Sequence, residues 1–137
     1  MLTRNCSGGL VFRDDSVLLL CNEKQEWAFP KGVIRSETNA ESVAIERVRN
    51  EAGIQAMILA PAGKTLYEFY SITRQMPVCN RIMWYVMKTS DDDEPVQISS
   101  AFSAGGFFPV LSALEKITYS QDRSLLMMAY QKYKELV

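Results

Sequence analysis

The chain has 137 residues, close to the size of one folded domain, with 47% hydrophobic and 23% charged residues. Fifteen basic against 16 acidic residues leave a net charge of -1, so no basic surplus argues for general binding of DNA or RNA. Histidine is absent, which excludes histidine triads, histidine zinc sites and a histidine general base. Cys6, Cys21 and Cys79 are odd in number and widely spaced, and they read as reduced thiols. No apolar run approaches the ~20 residues that cross a bilayer. The N-terminus lacks the apolar stretch of a signal peptide. The expectation is a single cytoplasmic domain over residues 1–137 with no membrane contact.

Two short apolar runs, Gly8 to Phe12 and Ser16 to Leu20, flank Arg13-Asp14-Asp15 and predict a β-hairpin. A loop follows from Asn22 to Gly32, where Pro30 and Gly32 forbid a helix. Ala40, Val43, Ala44, Val48 and Ala52 recur at three- and four-residue spacing, which predicts an amphipathic helix over Asn39–Ala52. Thr38 or Asn39 can cap its start, and Gly53 can close its end in a left-handed conformation. Strands are expected over Ala56–Leu59, Thr65–Tyr70 and Arg81–Met87. The acidic run Asp91 to Glu94 reads as a solvated loop. Gly105 to Val110 reads as a strand entering a turn, and Leu111 to Ile117 as a short helix. Ser120 or Gln121 opens a last helix carrying Leu125, Leu126, Met128, Ala129, Tyr133 and Leu136. Locally paired strands followed by interleaved helices imply a mixed sheet covered on both faces.

The segment Gly32 to Ile54, GVIRSETNAESVAIERVRNEAGI, follows Trp27-Ala28-Phe29-Pro30-Lys31. It resembles the box of the Nudix hydrolase family, G-x5-E-x7-R-E-U-x-E-E-x-G-U with U aliphatic. Ser7 to Phe12 looks like that family's first strand. The W-x-F-P-K-G run, Gly106-Phe107-Phe108 and Ile117 to Arg123 resemble its diadenosine tetraphosphate and diphosphoinositol polyphosphate hydrolases. The likeness covers nearly the whole chain. It implies an α/β fold, a mixed β-sheet sandwiched between α-helices. It also implies hydrolysis of a nucleoside diphosphate linked to another moiety, in which Mg2+ or Mn2+ bridges the diphosphate.

Matched position by position, Gly32, Val48, Gly53 and Ile54 fit the box. The loop glutamate falls on Thr38, with Glu37 one place early, and the R-E pair falls on Glu46-Arg47 in inverted order. The E-E pair falls on Asn50-Glu51. The resemblance thus implies metal ligands among Gly32, Glu37, Asn50 and Glu51, and catalytic roles for Glu51 and Glu46. On a regular helix Glu46 and Glu51 point about 140° apart, so only a π-bulge brings them together. Glu37 and Glu46 keep the family spacing as though both had slipped one place, but Val43, Ala44 and Val48 fit only the unslipped register. In that register Arg47 and Glu51 form an i,i+4 pair worth a few tenths of a kcal/mol. Lys31 and Arg4 are candidates for phosphate contacts. Tyr67, Phe69, Tyr70 and Trp84 are candidates for stacking on a base, and Glu68 and Glu115 for an outside general base. The partner is a small nucleotide or polyphosphate. The resemblance also admits a homodimer, although no patch in the sequence argues for one. The alternative is a module that binds without turnover, with Arg47 supplying in place the charge a metal brings.

Overall fold

The structure is a computed structural model and describes residues 1–137. Its strands are β1 (Leu2–Arg13), β2 (Ser16–Asn22), β3 (Trp27–Ala28), β4 (Lys31–Val33), β5 (Ala56–Ser71), β6 (Met76–Thr89) and β7 (Phe102–Pro109). Its helices are α1 (Ala40–Ala52), α2 (Val110–Lys116) and α3 (Ser120–Leu136). The sheet runs β3-β2-β1-β6-β5, with β4 added to β1 and β7 to β2. β1 and β6 are parallel; the other pairs are antiparallel.

Helices cover both faces, which is why β1 and β2 are apolar on consecutive residues. In β2, Val17 and Leu19 join a core under α2 and α3, whereas Leu18 and Leu20 join a core under α1. β1 divides likewise: Leu10 and Phe12 face α3, and Val11 faces α1. The α/β sandwich is therefore the architecture that the sequence pattern and the family resemblance both imply.

α1 forms where the apolar spacing places it. The Asn39 side chain accepts a hydrogen bond from the Ser42 N–H at 2.9 Å, so Asn39 is the cap rather than Thr38. Val43, Ala44, Val48 and Ala52 are buried. Gly53 ends the helix with φ 68°, its N–H bonded to the Arg49 carbonyl.

Four expectations need correction. The Asn22–Gly32 stretch is not wholly loop, because β3 pairs with β2 and β4 with β1. The two strands expected at Ala56–Leu59 and Thr65–Tyr70 are one strand, β5. Its register shifts at Ile58/Ala60 and Pro61/Gly63. A proline survives there because β5 is the sheet edge and bulges absorb the mismatch. The turn expected after Gly105–Val110 is absent, since β7 runs directly into α2. On α3, Leu125, Leu126, Ala129 and Tyr133 are buried, but Met128 is 59% and Leu136 51% exposed. Met128 falls outside the stripe at ~100° per residue, and Leu136 lies in the last turn. Asp122, three residues before Leu125, occupies the stripe instead.

Gly53→Ala is expected to cost roughly 1–2 kcal/mol, because an L side chain resists the left-handed conformation. The new Cβ would also lie 3.0 Å from that of Gln97. Denaturant unfolding measures the loss; an unchanged midpoint would remove the role assigned to this cap.

Candidate functional site

Alternation along β5 and β6 sets the first part of the site. Thr65, Tyr67 and Phe69 on β5, with Asn80, Ile82 and Trp84 on β6, line one cleft of about 270 Å3. Lys31 borders it from β4, and Tyr119 and Asp122 close it at the start of α3. The Tyr67 and Tyr119 rings meet edge-on at 5.2 Å, and their hydroxyls lie 3.3 Å apart. The Tyr119 hydroxyl donates to the Glu26 carboxylate, which also accepts from the Asn22 amide at 2.9 Å. That Tyr119 hydrogen bond, chiefly, holds the Glu26 carboxyl below its usual range. Burial, and then Glu26, push the Tyr119 phenol up.

The same alternation corrects the aromatic set. Tyr70 is 63% exposed and absent from the cleft lining, one residue out of phase with Phe69. Glu68 is out of phase for the same reason. Trp84 is 1% exposed and gives its indole N–H to Thr65 at 2.8 Å, so it forms the cleft floor rather than a stacking face. Arg4 donates to the Asn80 side-chain oxygen at 2.9 Å and sits 5.9 Å above the Phe69 ring. It therefore reaches the cleft through those two residues.

The second part of the site lies on α1. Glu51 is 14% exposed and pairs with Arg47 at 3.7 Å, the i,i+4 contact that the unslipped register requires. Burial pushes its carboxyl up to about 7, despite Arg47, the Lys31 charge and a hydrogen bond from the Lys31 backbone N–H. Desolvation thus outweighs the attraction of two cations. Arg47 lies across Gly32: a Cβ on that glycine would meet the arginine Cδ at 2.7 Å. The Lys31 charge also acts on Asp122, whose carboxyl burial pushes up. One ammonium therefore bears on a carboxylate in the cleft and on another beneath the helix.

The ligands implied for a divalent ion do not converge. Glu46 and Asn50 line a shallow groove with Arg35, Thr38 and Arg47, apart from Glu51. Glu37 is exposed on the preceding loop with φ 70°. α1 is α-helical throughout, so no π-bulge turns Glu46 toward Glu51. No three Cys, Asp or Glu side chains gather into a group that holds a metal. One buried carboxylate already paired to a guanidinium does not fit a resident magnesium ion, which takes several hard oxygen ligands.

The cleft residues Asp122, Asn80, Tyr119 and Glu26 escaped the sequence reading. Asp122 carried a usable signal, a carboxylate on the apolar phase of an amphipathic helix. The other three are joined only by pairings between distant segments.

The family model described as "NUDIX domain" matches residues 3–128. A curated relative, "Putative mutator protein MutT4" of Mycobacterium tuberculosis, is 27% identical over 106 residues, 75% of this chain and 40% of its own length. The chain thus spans about two fifths of that relative. Among solved structures, a C. elegans Ap4A hydrolase binary complex superposes with a TM-score of 0.76 at 20% identity, covering 96% of this chain and 98% of that one. An E. coli dihydroneopterin triphosphate pyrophosphohydrolase gives a TM-score of 0.76 at 13% identity, covering 96% and 99%. At these identities the likeness to the solved structures is one of fold. No helix is long and apolar enough to cross a membrane.

The buried Glu51 makes stability depend on pH. Its folded-state pKa of about 7 lies above the ordinary 4.5, so the folded protein keeps this proton longer than the unfolded chain. The group's contribution is fully present below about 4.5 and is lost as pH rises through about 7. Glu51→Gln should therefore stabilise the protein at pH 8, by at most about 3 kcal/mol, and change little at pH 4. Urea unfolding of both proteins at the two pH values tests this; a gap that fails to widen at pH 8 contradicts it.

Proposed function

The chain belongs to the Nudix family, and from that premise we propose that it binds a nucleoside diphosphate linked to a second moiety and hydrolyses the diphosphate slowly. The observation that carries this reading is Glu51, a buried carboxylate near neutrality beside Arg47 and Lys31. Such a group suits a general base at neutral pH. Water's oxygen bonds to a diphosphate phosphorus while Glu51 takes its proton. The bridging P–O bond breaks, and its electrons leave with the departing phosphate. Lys31 and Arg47 offset the charge that builds on the phosphoryl oxygens. Nudix hydrolases generally use divalent metals, but the residues on α1 do not fit a resident one. Low turnover follows, because the usual source of an activated hydroxide is missing.

One observation favours a second reading. Arg47 crosses Gly32 and pairs with Glu51, so a fixed cation stands where the box resemblance puts a carboxylate. A guanidinium can grip a phosphate bidentately. In this reading the cleft binds its nucleotide without turnover.

Incubation with ADP-ribose, diadenosine tetraphosphate and nucleoside triphosphates, each with magnesium, manganese or EDTA, separates the readings by chromatography of products. Slow turnover should rise with pH through about 7. It should fall at least about 100-fold in Glu51→Gln with binding retained. Absent turnover, with binding in EDTA lost in Arg47→Ala, selects the second reading. Failure to bind any of these compounds refutes both.

A further inference from the structure

Most polar groups lining the cleft are already engaged. Gln121 gives its amide to the Leu66 carbonyl at 2.8 Å, and Thr65 accepts from Trp84 at 2.8 Å. Tyr67, Tyr119 and Glu26 bond one another. Two side chains, each more than nine-tenths buried, keep hydrogen-bonding capacity facing the cleft. Asp122 is 9% exposed, and no donor or ion pair in the protein reaches its carboxylate. Asn80 is 8% exposed, and Arg4 binds its oxygen. An arginine N–H can only donate, so the Asn80 NH2 must be the end left over. Neither group is sealed away among the buried, unpartnered polar atoms, so both open to the cleft.

A buried carboxylate without a partner costs stability, and a ligand that supplies N–H donors recovers it. The Tyr67 ring, 37% exposed and stacked on Phe69, lines the same cleft. The volume, about 270 Å3, lies below the ~300–1,000 Å3 of sites that enclose drug-sized ligands. A space of that size suits one ring system rather than a whole nucleotide.

We propose that Asp122 and Asn80 form a nucleobase-recognition site that selects a guanine-type edge, one with adjacent N–H donors beside a carbonyl oxygen. The carboxylate accepts from the ring N–H and the exocyclic amino group, and the Asn80 amide donates to the carbonyl. Adenine presents a ring nitrogen lone pair to the same carboxylate and is repelled. This inference rests on the nucleotide-binding reading above and names its base.

Calorimetric titration of the intact protein with GDP, IDP and ADP, in magnesium and in EDTA, tests it. GDP should bind about tenfold or more tightly than ADP. IDP, which lacks the amino group, should fall between them. Asp122→Asn should weaken GDP and strengthen ADP until the two bind about equally, and raise the melting temperature. The comparison of three nucleotides on the unaltered protein does not depend on a variant folding. Equal affinities, or a preference for ADP, overturn the base assignment while leaving nucleotide binding in place. Failure of all three to bind overturns both.

Discussion

The Pro30 carbonyl occupies space that any side chain at residue 8 would need, and a Cβ there would also meet the Trp84 ring at 2.6 Å. Gly8 lets β4 lie against β1 at this point, with Gly8 opposite Lys31 and Ser7 opposite Gly32. The placement of Lys31 and Gly32 follows from that close approach. Gly32 in turn leaves room for Arg47, and the Lys31 backbone N–H faces Glu51. Two short paired segments thus bring together the groups that give the site its charge. A larger residue at position 8 would press on Lys31 directly, its Cβ 2.9 Å from that of the lysine, and disturb the others through it.

Much of this was legible in the residues. The three- and four-residue spacing of Val43, Ala44, Val48 and Ala52 determines which face of α1 is buried. It also puts Arg47 and Glu51 on neighbouring turns of one side. The polar-to-apolar rhythm was less informative on β5, because Pro61 and Gly63 mimic a break that the edge strand absorbs as a bulge. Aromatic identity alone could not separate Tyr67 from Tyr70 or Trp84. Strand phase removes Tyr70, and the depth of the sheet removes Trp84. Asn80 became visible only when pairing across β1, β5 and β6 placed it beside Arg4 and opposite Tyr67.

The electrostatic design differs from one built around an ion. A divalent cation needs converging carboxylates, each stabilised by the metal charge. Here the carboxylates are dispersed, and the fixed charges of Lys31 and Arg47 stand near the two buried ones. Burial still dominates at Glu51, so the protein retains a carboxyl that changes protonation near neutral pH. The positive charge of this region is covalently part of the chain.

The irregular edge of the sheet has a consequence for self-association. An outermost strand of 16 residues would ordinarily template the addition of another chain's backbone. On β5 the ladder is displaced twice, at Ile58/Ala60 and Pro61/Gly63, and Lys132 reaches over to the Pro61 carbonyl at 3.1 Å. An incoming strand could not stay in step along that whole border. The same kinks that hid the strand from a reading of its residues thus interrupt the border on which an incoming backbone would pair.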